Sequence, residues 1–282
     1  VLSGGGARGA AHVGVLKVLD ELHVPVDAIA GTSMGAVVGG LYAAGYSGRE
    51  IEQVMSGVDW QDAFRDRPQR GDLSIRRKRE DEDFLVQLPL GLRDGKFLMP
   101  KGLMQGQKLS LMLRELSRRA GNPPDYDHLP TPFRAVATDL ETGRPVVMDR
   151  GDLATSIRAS MSVPGLFAPV EREGKLLVDG GIAENLPIDV MRSMQVDILI
   201  VVDVGYPLAP RERLGSVTSV SSQMLAILIR RDSDRQRATL GARDVIVEPP
   251  LGDASSFDFS RLESAIAAGE AGARARLGQL SA

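Results

Sequence analysis

A serine between two glycines is the first candidate for chemistry in this sequence. Residues 31–35 read Gly-Thr-Ser-Met-Gly, with a short apolar stretch before them and a run of small residues after them. This strand–turn–helix context is typical of a nucleophile elbow, a tight turn that exposes the serine hydroxyl. The start of the following helix would favour negative charge beside Ser33. The alternative interpretation is a glycine–serine turn that only connects a strand to a helix.

A glycine-rich turn at residues 4–9 is the second candidate. Its Gly-Gly-Gly-Ala-Arg-Gly sequence lies between a strand end and a helix start, where backbone N–H groups can face an anion. One interpretation is an oxyanion hole. The other is dinucleotide binding, because the glycines also satisfy G-x-G-x-x-G. Dinucleotide binding needs an acidic residue at the end of the next strand, and Thr32-Ser33 occupies that place, so we favour the oxyanion hole.

A serine nucleophile needs a base, and the three histidines of this chain are poorly placed for that task. His12 lies in the first predicted helix, where we interpret it as packed or hydrogen-bonded. His23 lies in a helix-to-strand connection. His128 lies in a turn that leads into a strand, opposite the edge where the sites of open α/β sheets gather. A conventional serine–histidine–acid triad therefore lacks its histidine.

Carboxylates at strand ends are the remaining candidate bases: Asp139, Asp179 and Asp203. Asp179 is followed by two glycines, which permit a tight turn and close backbone approach. Asp139 leads into a Glu-Thr-Gly turn, so we interpret it as a turn-forming residue, and we interpret Asp203 as an ordinary acid at a strand end. In a partly dry pocket a carboxylate gains basicity, so the simplest device is a dyad of Ser33 and Asp179.

Alternating helical and strand patterns place these residues in an α/β architecture. We predict helices over residues 10–22, 34–44, 107–119, 152–159, 217–240 and 260–280, with a capping box starting another at Ser47. We predict strands over residues 26–30, 133–139, 146–148, 176–178, 198–203 and 245–247. The unbroken apolar run 198–203 predicts that this strand lies at the centre of the sheet. We predict one domain over residues 1–282, with 67–106 as a cap or substrate-facing insertion.

Composition excludes several classes of function. The 282 residues include 34 Lys and Arg and 37 Asp and Glu, and a formal net charge of −3 disfavours a dedicated nucleic-acid binder. The chain has no cysteine, which excludes disulfides, thiolate nucleophiles and cysteine-based zinc sites. It has no H-E-x-x-H motif or EF-hand loop, so we expect neither a metal nor a cofactor. No apolar run reaches the ~18 residues of a membrane span.

Three sequence boxes together resemble the patatin-like phospholipase family: residues 4–9, residues 31–35, and Asp179 with the two glycines that follow it. Residues 133–139, 159–164 and 185–187 are similar as well, so the resemblance extends over residues 1–205. It implies a three-layer α/β/α patatin-like fold with a mostly parallel central sheet. It also implies a lipid acyl hydrolase in which Ser33 is the nucleophile and Asp179 the base.

The resemblance assigns further roles within the same boxes. The oxyanion hole would come from Gly4, Gly5, Gly6 and Arg8. The supporting residues would be Gly9, Gly31, Gly35, Gly180 and Gly181. The Arg8 side chain would either hold the loop or bind a phosphate. Two other functions remain open, a nucleotide-binding module that uses the glycine loop and an inactive lipid-binding scaffold.

The implied partners are a phospholipid or other lipid ester and, transiently, a membrane surface; a homodimer is left open. Met224–Ile229, followed by two arginines, is either an interfacial or dimerising helix or a buried helix, and we favour the buried helix. The apolar stretch 84–104 is either an acyl-chain wall or mobile cap, or ordinary core packing. The charge block 76–83 is most simply a solvated loop, and the alternative is that its basic half contacts anionic head groups.

The first residues, Val1-Leu2, have the character of a strand end, so we expect that sequence precedes them. The nearest likeness we infer is a bacterial secreted patatin-like lipase carried as an autotransporter passenger. That likeness implies a secreted or cell-surface location, with the cytoplasm as the alternative, and a transport module after Ala282.

Overall fold

The structure, a computed structural model, describes residues 1–65, 71, 75, 91–93, 96–98, 102, 104–205 and 207–280. The charge block 76–83 and most of the apolar stretch 84–104 lie outside the described residues. The described helices are α1 (Ala11–Glu21), α2 (Met34–Ala43), α3 (Gly48–Gly57), α4 (Trp60–Ala63), α5 (Gln107–Leu116), α6 (Leu153–Ser160), α7 (Gly181–Glu184), α8 (Ile188–Ser193), α9 (Val217–Arg237), α10 (Leu262–Arg274) and α11 (Leu277–Leu280). The described strands are β1 (Ile29–Thr32), β2 (Gly91–Arg93), β3 (Lys96–Leu98), β4 (Phe133–Asp139), β5 (Pro145–Met148), β6 (Val170–Arg172), β7 (Lys175–Asp179), β8 (Ile200–Val202) and β9 (Val245–Val247).

The elements around the glycine motifs follow the local sequence signals closely. A 3-10 turn, Gly6–Ala10, leads directly into α1. Strand β1 begins three residues later than predicted and runs up to the residue before Ser33. Helix α3 has the predicted capping box, in which Ser47 Oγ accepts the Glu50 N–H and the Glu50 carboxylate accepts the Ser47 N–H.

The central sheet is mixed. Strand β1 pairs in parallel with β4, β8 pairs in parallel with β9, and Leu2 bridges Gly31 of β1 and Val202 of β8, also in parallel. Strand β4 pairs antiparallel with β5 and β7, and β7 pairs antiparallel with β6. The predicted α/β class is confirmed, whereas the central sheet is mixed rather than mostly parallel. Strands β5 and β6 run antiparallel to β4 and β7, their sequence neighbours, because a short turn joins each pair and reverses the strand direction.

Strand β8 is not the centre of the sheet, so that prediction is wrong. It lies between β9 and Leu2, one position from the last described strand on that side. Val201 packs into one hydrophobic cluster and Val202 into another on the opposite face. Burial on both faces, rather than a central position, therefore explains the unbroken apolar run.

Two hydrophobic clusters on opposite faces of the sheet create three layers. On one face, Phe133 and Ala135 of β4 pack with residues of α1, α2, α3, α6 and α10. On the other face, Val136 packs with residues of α8. The side chains of β4 separate in this way because neighbouring residues of a strand point to opposite faces. The result is the predicted α/β/α layering.

Helix α9 is only half buried. Ala226 and Ile229 are buried, whereas Met224, Ile227 and Leu228 are exposed. The buried-helix interpretation of Met224–Ile229 is therefore wrong for the outer face of this helix. Of the helices that the structure describes, none combines the length and apolar character needed to cross a bilayer.

Candidate active site

Ser33 lies in the sharp turn between β1 and α2. Its backbone has φ 53° and ψ −119°, a sparsely populated conformation for a residue other than glycine that is expected in a nucleophile elbow. The turn needs small neighbours: a Cβ on Gly31 would lie 2.3 Å from Gly35 O, and one on Gly35 would lie 2.3 Å from Leu2 O. The strand–turn–helix geometry expected from residues 31–35 is therefore present.

A buried serine from a distant element holds this turn. The Ser33 N–H donates to Ser160 Oγ (2.8 Å), and the Ser160 hydroxyl donates to Val136 O of β4 (2.5 Å). Ser160 is the last residue of α6, so this hydrogen-bond chain ties the elbow to both α6 and β4. Ser160 belongs to the stretch 159–164 that is similar to the family, but the sequence alone assigns it no role.

Asp179 ends β7 and is 7% exposed. Its Oδ1 accepts the N–H of Gly181 at 2.8 Å. Burial raises the pKa of Asp179 to about 6, although hydrogen bonds from the Ser33 hydroxyl and the Gly181 N–H favour the ionised form. At neutral pH this carboxylate is ionised and more basic than an exposed aspartate.

The segment 160–162 positions both candidate residues. Ser160 O accepts the N–H of Gly180 (3.2 Å), and Ser162 O accepts the N–H of Asp179 (2.9 Å). The Ser160 side chain bonds to Ser33 at the same time. Ser160 at the end of α6 and Ser162 just after it therefore connect the turn that carries the hydroxyl to the turn that carries the carboxylate.

The supporting glycines Gly9, Gly180 and Gly181 lie at close contacts around these groups. A Cβ on Gly9 would be 2.5 Å from Met34 Cγ, and one on Gly180 would be 2.2 Å from Val136 O. A Cβ on Gly181 would be 3.1 Å from the Oδ1 of the candidate base. A side chain at Gly9 or Gly180 would therefore displace the elbow or the strand beside it.

The glycine loop offers two N–H groups. The N–H of Gly4 donates to Asn185 O at 3.2 Å. Gly5 precedes the 3-10 turn and Gly6 begins it, so neither N–H can bond within the turn, and neither has an acceptor elsewhere in the described part of the chain. Gly5 and Gly6 are therefore the donors that this geometry favours for a developing oxyanion, whereas Gly4 is engaged.

Arg8 holds the loop in place. Its Nε donates to Val204 O (3.0 Å), and its Nη1 donates to Gly252 O (3.0 Å) and Ala254 O (2.9 Å). Its own N–H lies inside the 3-10 turn, where the i→i+3 hydrogen bonds engage it. Of the two expectations for the side chain, these contacts favour loop support over phosphate binding.

A cavity of about 50 Å³ joins the candidate groups. It has room for only a few water-sized groups, far less than a dinucleotide needs. Polar and apolar residues share its walls: Gly4, Gly5, Gly6, Ser33, Val163, Asp179, Ile182, Asn185, Leu225, Ile229, Ser256 and Phe257. The hydroxyl, the carboxylate and the two N–H donors thus meet at one small, largely apolar space.

Sequence reasoning missed the cavity residues that follow residue 205. Leu225 and Ile229 come from α9, and Ser256 and Phe257 come from the loop before α10. Only the four-residue spacing of Leu225 and Ile229, which places both on one side of a helix, could have indicated them. Ser256 and Phe257 carry no motif, because a loop that closes a site from the far end of the chain has no local sequence pattern.

The histidines lie away from the cavity. His12 is buried in α1, its Nε2 lies 2.8 Å from Ser3 O, and burial lowers its pKa to about 4. His128 lies at the surface with its Nδ1 2.6 Å from Asp125 Oδ1. His23 is exposed in the connection between α1 and β1.

The two other candidate carboxylates have structural partners. Asp139 Oδ1 accepts the N–H of Glu141 (3.1 Å) within the predicted turn. Asp203 Oδ1 accepts the N–H of Gly205 (2.9 Å), and its Oδ2 accepts from Arg237 (3.2 Å). Neither lines the cavity. Within the part of the chain that the structure describes, no three His, Asp or Glu side chains converge as metal ligands.

Such a site can carry out acyl transfer. The Ser33 hydroxyl can pass its proton to Asp179 and attack a carbonyl carbon, while the N–H groups of Gly5 and Gly6 donate hydrogen bonds to the carbonyl oxygen as it becomes negatively charged.

Comparisons with known proteins indicate a family for this chain. A family model described as "Patatin-like phospholipase" matches residues 1–192. An uncharacterized NTE family protein of Mycobacterium tuberculosis is 33% identical over 232 residues, which cover 82% of this chain and 55% of the relative. The chain therefore spans about half the length of this relative.

Two further relatives carry lipid-related names. The rat patatin-like phospholipase domain-containing protein 7 is 34% identical over 209 residues, covering 73% of this chain and 13% of that protein. Lysophospholipase nte1 of Aspergillus fumigatus is 32% identical over 216 residues, covering 73% of this chain and 12% of that protein. The solved structure of VipD from Legionella pneumophila aligns with a TM-score of 0.51 at 15% identity, over 99% of this chain and 65% of that one, which shows a shared fold.

Proposed function

Since this chain belongs to the patatin-like phospholipase family, we propose that it is a lipid acyl hydrolase that cleaves carboxylic esters of phospholipids or lysophospholipids. The observation that carries the proposal is the meeting of Ser33, Asp179 and the free N–H groups of Gly5 and Gly6 at one cavity. The names of the relatives support a lipid ester as the substrate. The secreted or cell-surface location stays a prediction.

The proposed reaction has two halves. In the first, Asp179 accepts the proton of Ser33 as the serine oxygen attacks the ester carbonyl, and the protonated carboxyl then gives the proton to the leaving alcohol or lysolipid. In the second, Asp179 takes a proton from water, and the resulting hydroxide attacks the acyl-serine ester. The fatty acid leaves, and the proton returns to Ser33 Oγ.

The glycine loop contributes to both halves. Each tetrahedral intermediate places negative charge on the former carbonyl oxygen, where the N–H groups of Gly5 and Gly6 can donate to it. Losing one such donor typically costs about 3 kcal/mol of transition-state stabilisation. Arg8, bonded to three backbone carbonyls, keeps this loop against the segments that contain Val204 and Gly252.

Labelling with a fluorophosphonate, combined with product analysis on phospholipid and lysophospholipid vesicles, tests the proposal. We expect a covalent adduct on the peptide that contains Ser33, and free fatty acid as a product. Lipid binding with neither adduct nor fatty acid would instead indicate an inactive lipid-binding scaffold. Tight binding of NAD or ATP with no adduct would indicate the nucleotide-binding module.

The pH dependence of hydrolysis should follow the ionisation of the Asp179 carboxyl group. A carboxylate accepts a proton only when ionised, and burial raises the pKa of Asp179 to about 6. We therefore expect kcat/KM for a soluble short-chain ester to fall about tenfold per pH unit below that value. Initial rates between pH 4.5 and 8.5, with circular dichroism at each pH to confirm folding, measure this. A rate that is level down to pH 4.5 would contradict Asp179 as the base.

Ser160→Ala should lower turnover without removing a reacting group. The substitution leaves the Ser33 N–H and Val136 O without their buried partner, which costs about 1–3 kcal/mol and frees the strained elbow to relax. We expect kcat to fall about 10- to 100-fold with KM unchanged, because a displaced Ser33 oxygen weakens the transition state and not ester binding.

Ser162→Ala is the matched control for Ser160→Ala. Ser162 is equally buried, but within the described part of the chain its hydroxyl bonds only with Arg158, accepting from Nη1 (2.5 Å) and donating to the carbonyl (2.8 Å). We expect Ser162→Ala to lower the melting temperature while kcat per folded molecule stays at the wild-type level. Equal losses of kcat in both variants would show that Ser160 supports the fold and does not position Ser33.

A further inference from the structure

Helix α9 carries an exposed apolar stripe. Val220, Met224, Ile227 and Leu228 have 45%, 63%, 48% and 51% of their surface exposed, and Val217 at the helix start has 84%. Spacings of three and four residues place these side chains on one side of the helix. An apolar surface of this kind on a folded protein marks a contact with a partner or a membrane. We call these five residues the α9 stripe.

The α9 stripe adjoins the cavity that contains Ser33. The inner side of the same helix supplies Leu225 and Ile229 to the cavity wall. Phe257, which is 61% exposed, also lines the cavity, so it extends from the cavity to the surface. A cavity of about 50 Å³ holds little more than the reacting ester, so the rest of an acyl chain must lie outside it.

Both ends of the α9 stripe are basic. Arg211 and Arg213 precede the helix, with Glu212 between them, and Arg230 and Arg231 follow the last apolar residues; all four arginines are exposed. Among the described residues Arg231 has no acidic partner, and Arg230 lies 3.9 Å from Asp234. Anionic headgroups would attract these arginines.

A second copy of the chain fits this charge pattern less well. A two-fold symmetric contact joins the same surface on both copies. Pairing two α9 stripes in either direction would bring the basic ends of one copy against the basic ends of the other. An anionic lipid layer instead offers acyl chains to the apolar side chains and phosphates to the arginines, the environment of an interfacial helix.

We propose that the α9 stripe, together with Phe257, is the surface on which this chain docks to anionic lipid membranes, with the cavity opening against the lipid. This proposal rests on the proposed function, because the use of docking at this surface would be to bring an ester from the lipid layer to Ser33. The docking itself requires only the apolar side chains and the flanking arginines.

Substitutions on the outer side of α9 test the docking. The double substitution Met224→Gln with Leu228→Gln changes exposed residues that do not line the cavity. Leu111→Gln is the matched control, because Leu111 is 65% exposed on α5, a helix that supplies no cavity residue. Cosedimentation with vesicles of equal phosphatidylglycerol and phosphatidylcholine measures docking. Turnover of a soluble short-chain ester without lipid measures the chemistry.

We expect the double variant to bind these vesicles at least about tenfold more weakly, since two apolar side chains no longer enter the lipid. We expect Leu111→Gln to bind like the wild type, and the soluble-ester rate to be unchanged in both variants. Arg230→Gln with Arg231→Gln should weaken binding to the phosphatidylglycerol vesicles and not to vesicles of phosphatidylcholine alone.

Wild-type protein that does not bind the mixed vesicles would overturn the proposal, as would a double variant that binds as well as the wild type. If the wild type is a dimer without lipid, and the double variant is monomeric yet binds vesicles normally, the stripe is a contact between copies instead. Failure of the proposed function can be distinguished from failure of the docking proposal. If only the proposed function is wrong, the wild type hydrolyses no ester, but the double variant still loses vesicle binding.

Discussion

Replacing Asp179 with asparagine is expected to lower kcat for a soluble short-chain ester by about 10³–10⁴-fold, the contribution of a positioned general base at the upper end of its usual range. Asparagine fits the same space, and its Oδ1 can still accept the Gly181 N–H. Its amide does not accept the Ser33 proton at neutral pH, so the loss is chemical. Steady-state rates at pH 8, compared with the wild type, measure it.

The same substitution should leave the fold intact or stabilise it. Burial raises the pKa of Asp179 from 3.8 to about 6, so the folded protein binds this proton more tightly than the unfolded chain does. The free energy of unfolding therefore decreases as the pH rises through that interval, and the ionised carboxylate stays a cost above it. The asparagine side chain carries no charge, so we expect the melting temperature of Asp179→Asn at pH 8 to equal or exceed that of the wild type.

Asp139→Asn is the control for this prediction. Asp139 is also buried at a strand end, but it accepts the Glu141 N–H and the Thr142 hydroxyl in a turn. Asparagine can keep the first of these contacts, so we expect kcat within about twofold of the wild type, as for most substitutions outside a reacting site. If Asp139→Asn lowers kcat as much as Asp179→Asn does, the assignment of the base is wrong.

Ser33→Ala should produce the larger loss, about 10⁵–10⁶-fold in kcat, with no fluorophosphonate adduct. The substitution removes the attacking oxygen, and no other hydroxyl is expected to take its position in the elbow. Alanine keeps the small Cβ at φ 53°, and the Ser33 N–H that bonds to Ser160 Oγ belongs to the backbone, so the elbow stays held. Intact-protein mass spectrometry after labelling, and ester turnover, measure both effects.

Ser256→Ala tests whether any serine at the cavity would label. Ser256 also lines the cavity, and its carbonyl, which accepts the Ala7 N–H, is unaffected by the substitution. We expect full labelling and turnover of the same order as the wild type. An adduct that persists in Ser33→Ala and disappears in Ser256→Ala would move the nucleophile to position 256.

The elements next to the motifs were predictable because their causes are local. Gly31 and Gly35 contact each other across four residues, and the capping box of α3 involves residues three apart. The position of β8 in the sheet was not predictable in this way. The apolar run of β8 indicates only that both of its faces are buried. Its place in the sheet depends on pairing with Leu2 and Val245, which lie far away in the sequence.

The candidate residues Ser33 and Asp179 were predictable from the sequence, whereas the residues that hold them in position were not. The absence of a histidine in a suitable position, and the two glycines after Asp179, indicate a serine–aspartate pair from the sequence alone. The sequence did not predict which N–H groups of the glycine loop are available to an oxyanion, because the N–H of Gly4 donates to Asn185 O, 181 positions away. The elbow support from Ser160 likewise spans 127 residues.

By itself, the sequence determined the α/β class, the tight turns and the candidate residues that those turns carry, because backbone conformation and close contacts between near neighbours depend on residue type. Only the tertiary structure decided that the N–H groups of Gly5 and Gly6 have no acceptor among the described residues, that Ser160 bonds to Ser33, and that α9 buries one side and exposes the other. The reason is physical: hydrogen-bond saturation and burial are set by every element that packs around a group, and those elements come from distant parts of the chain.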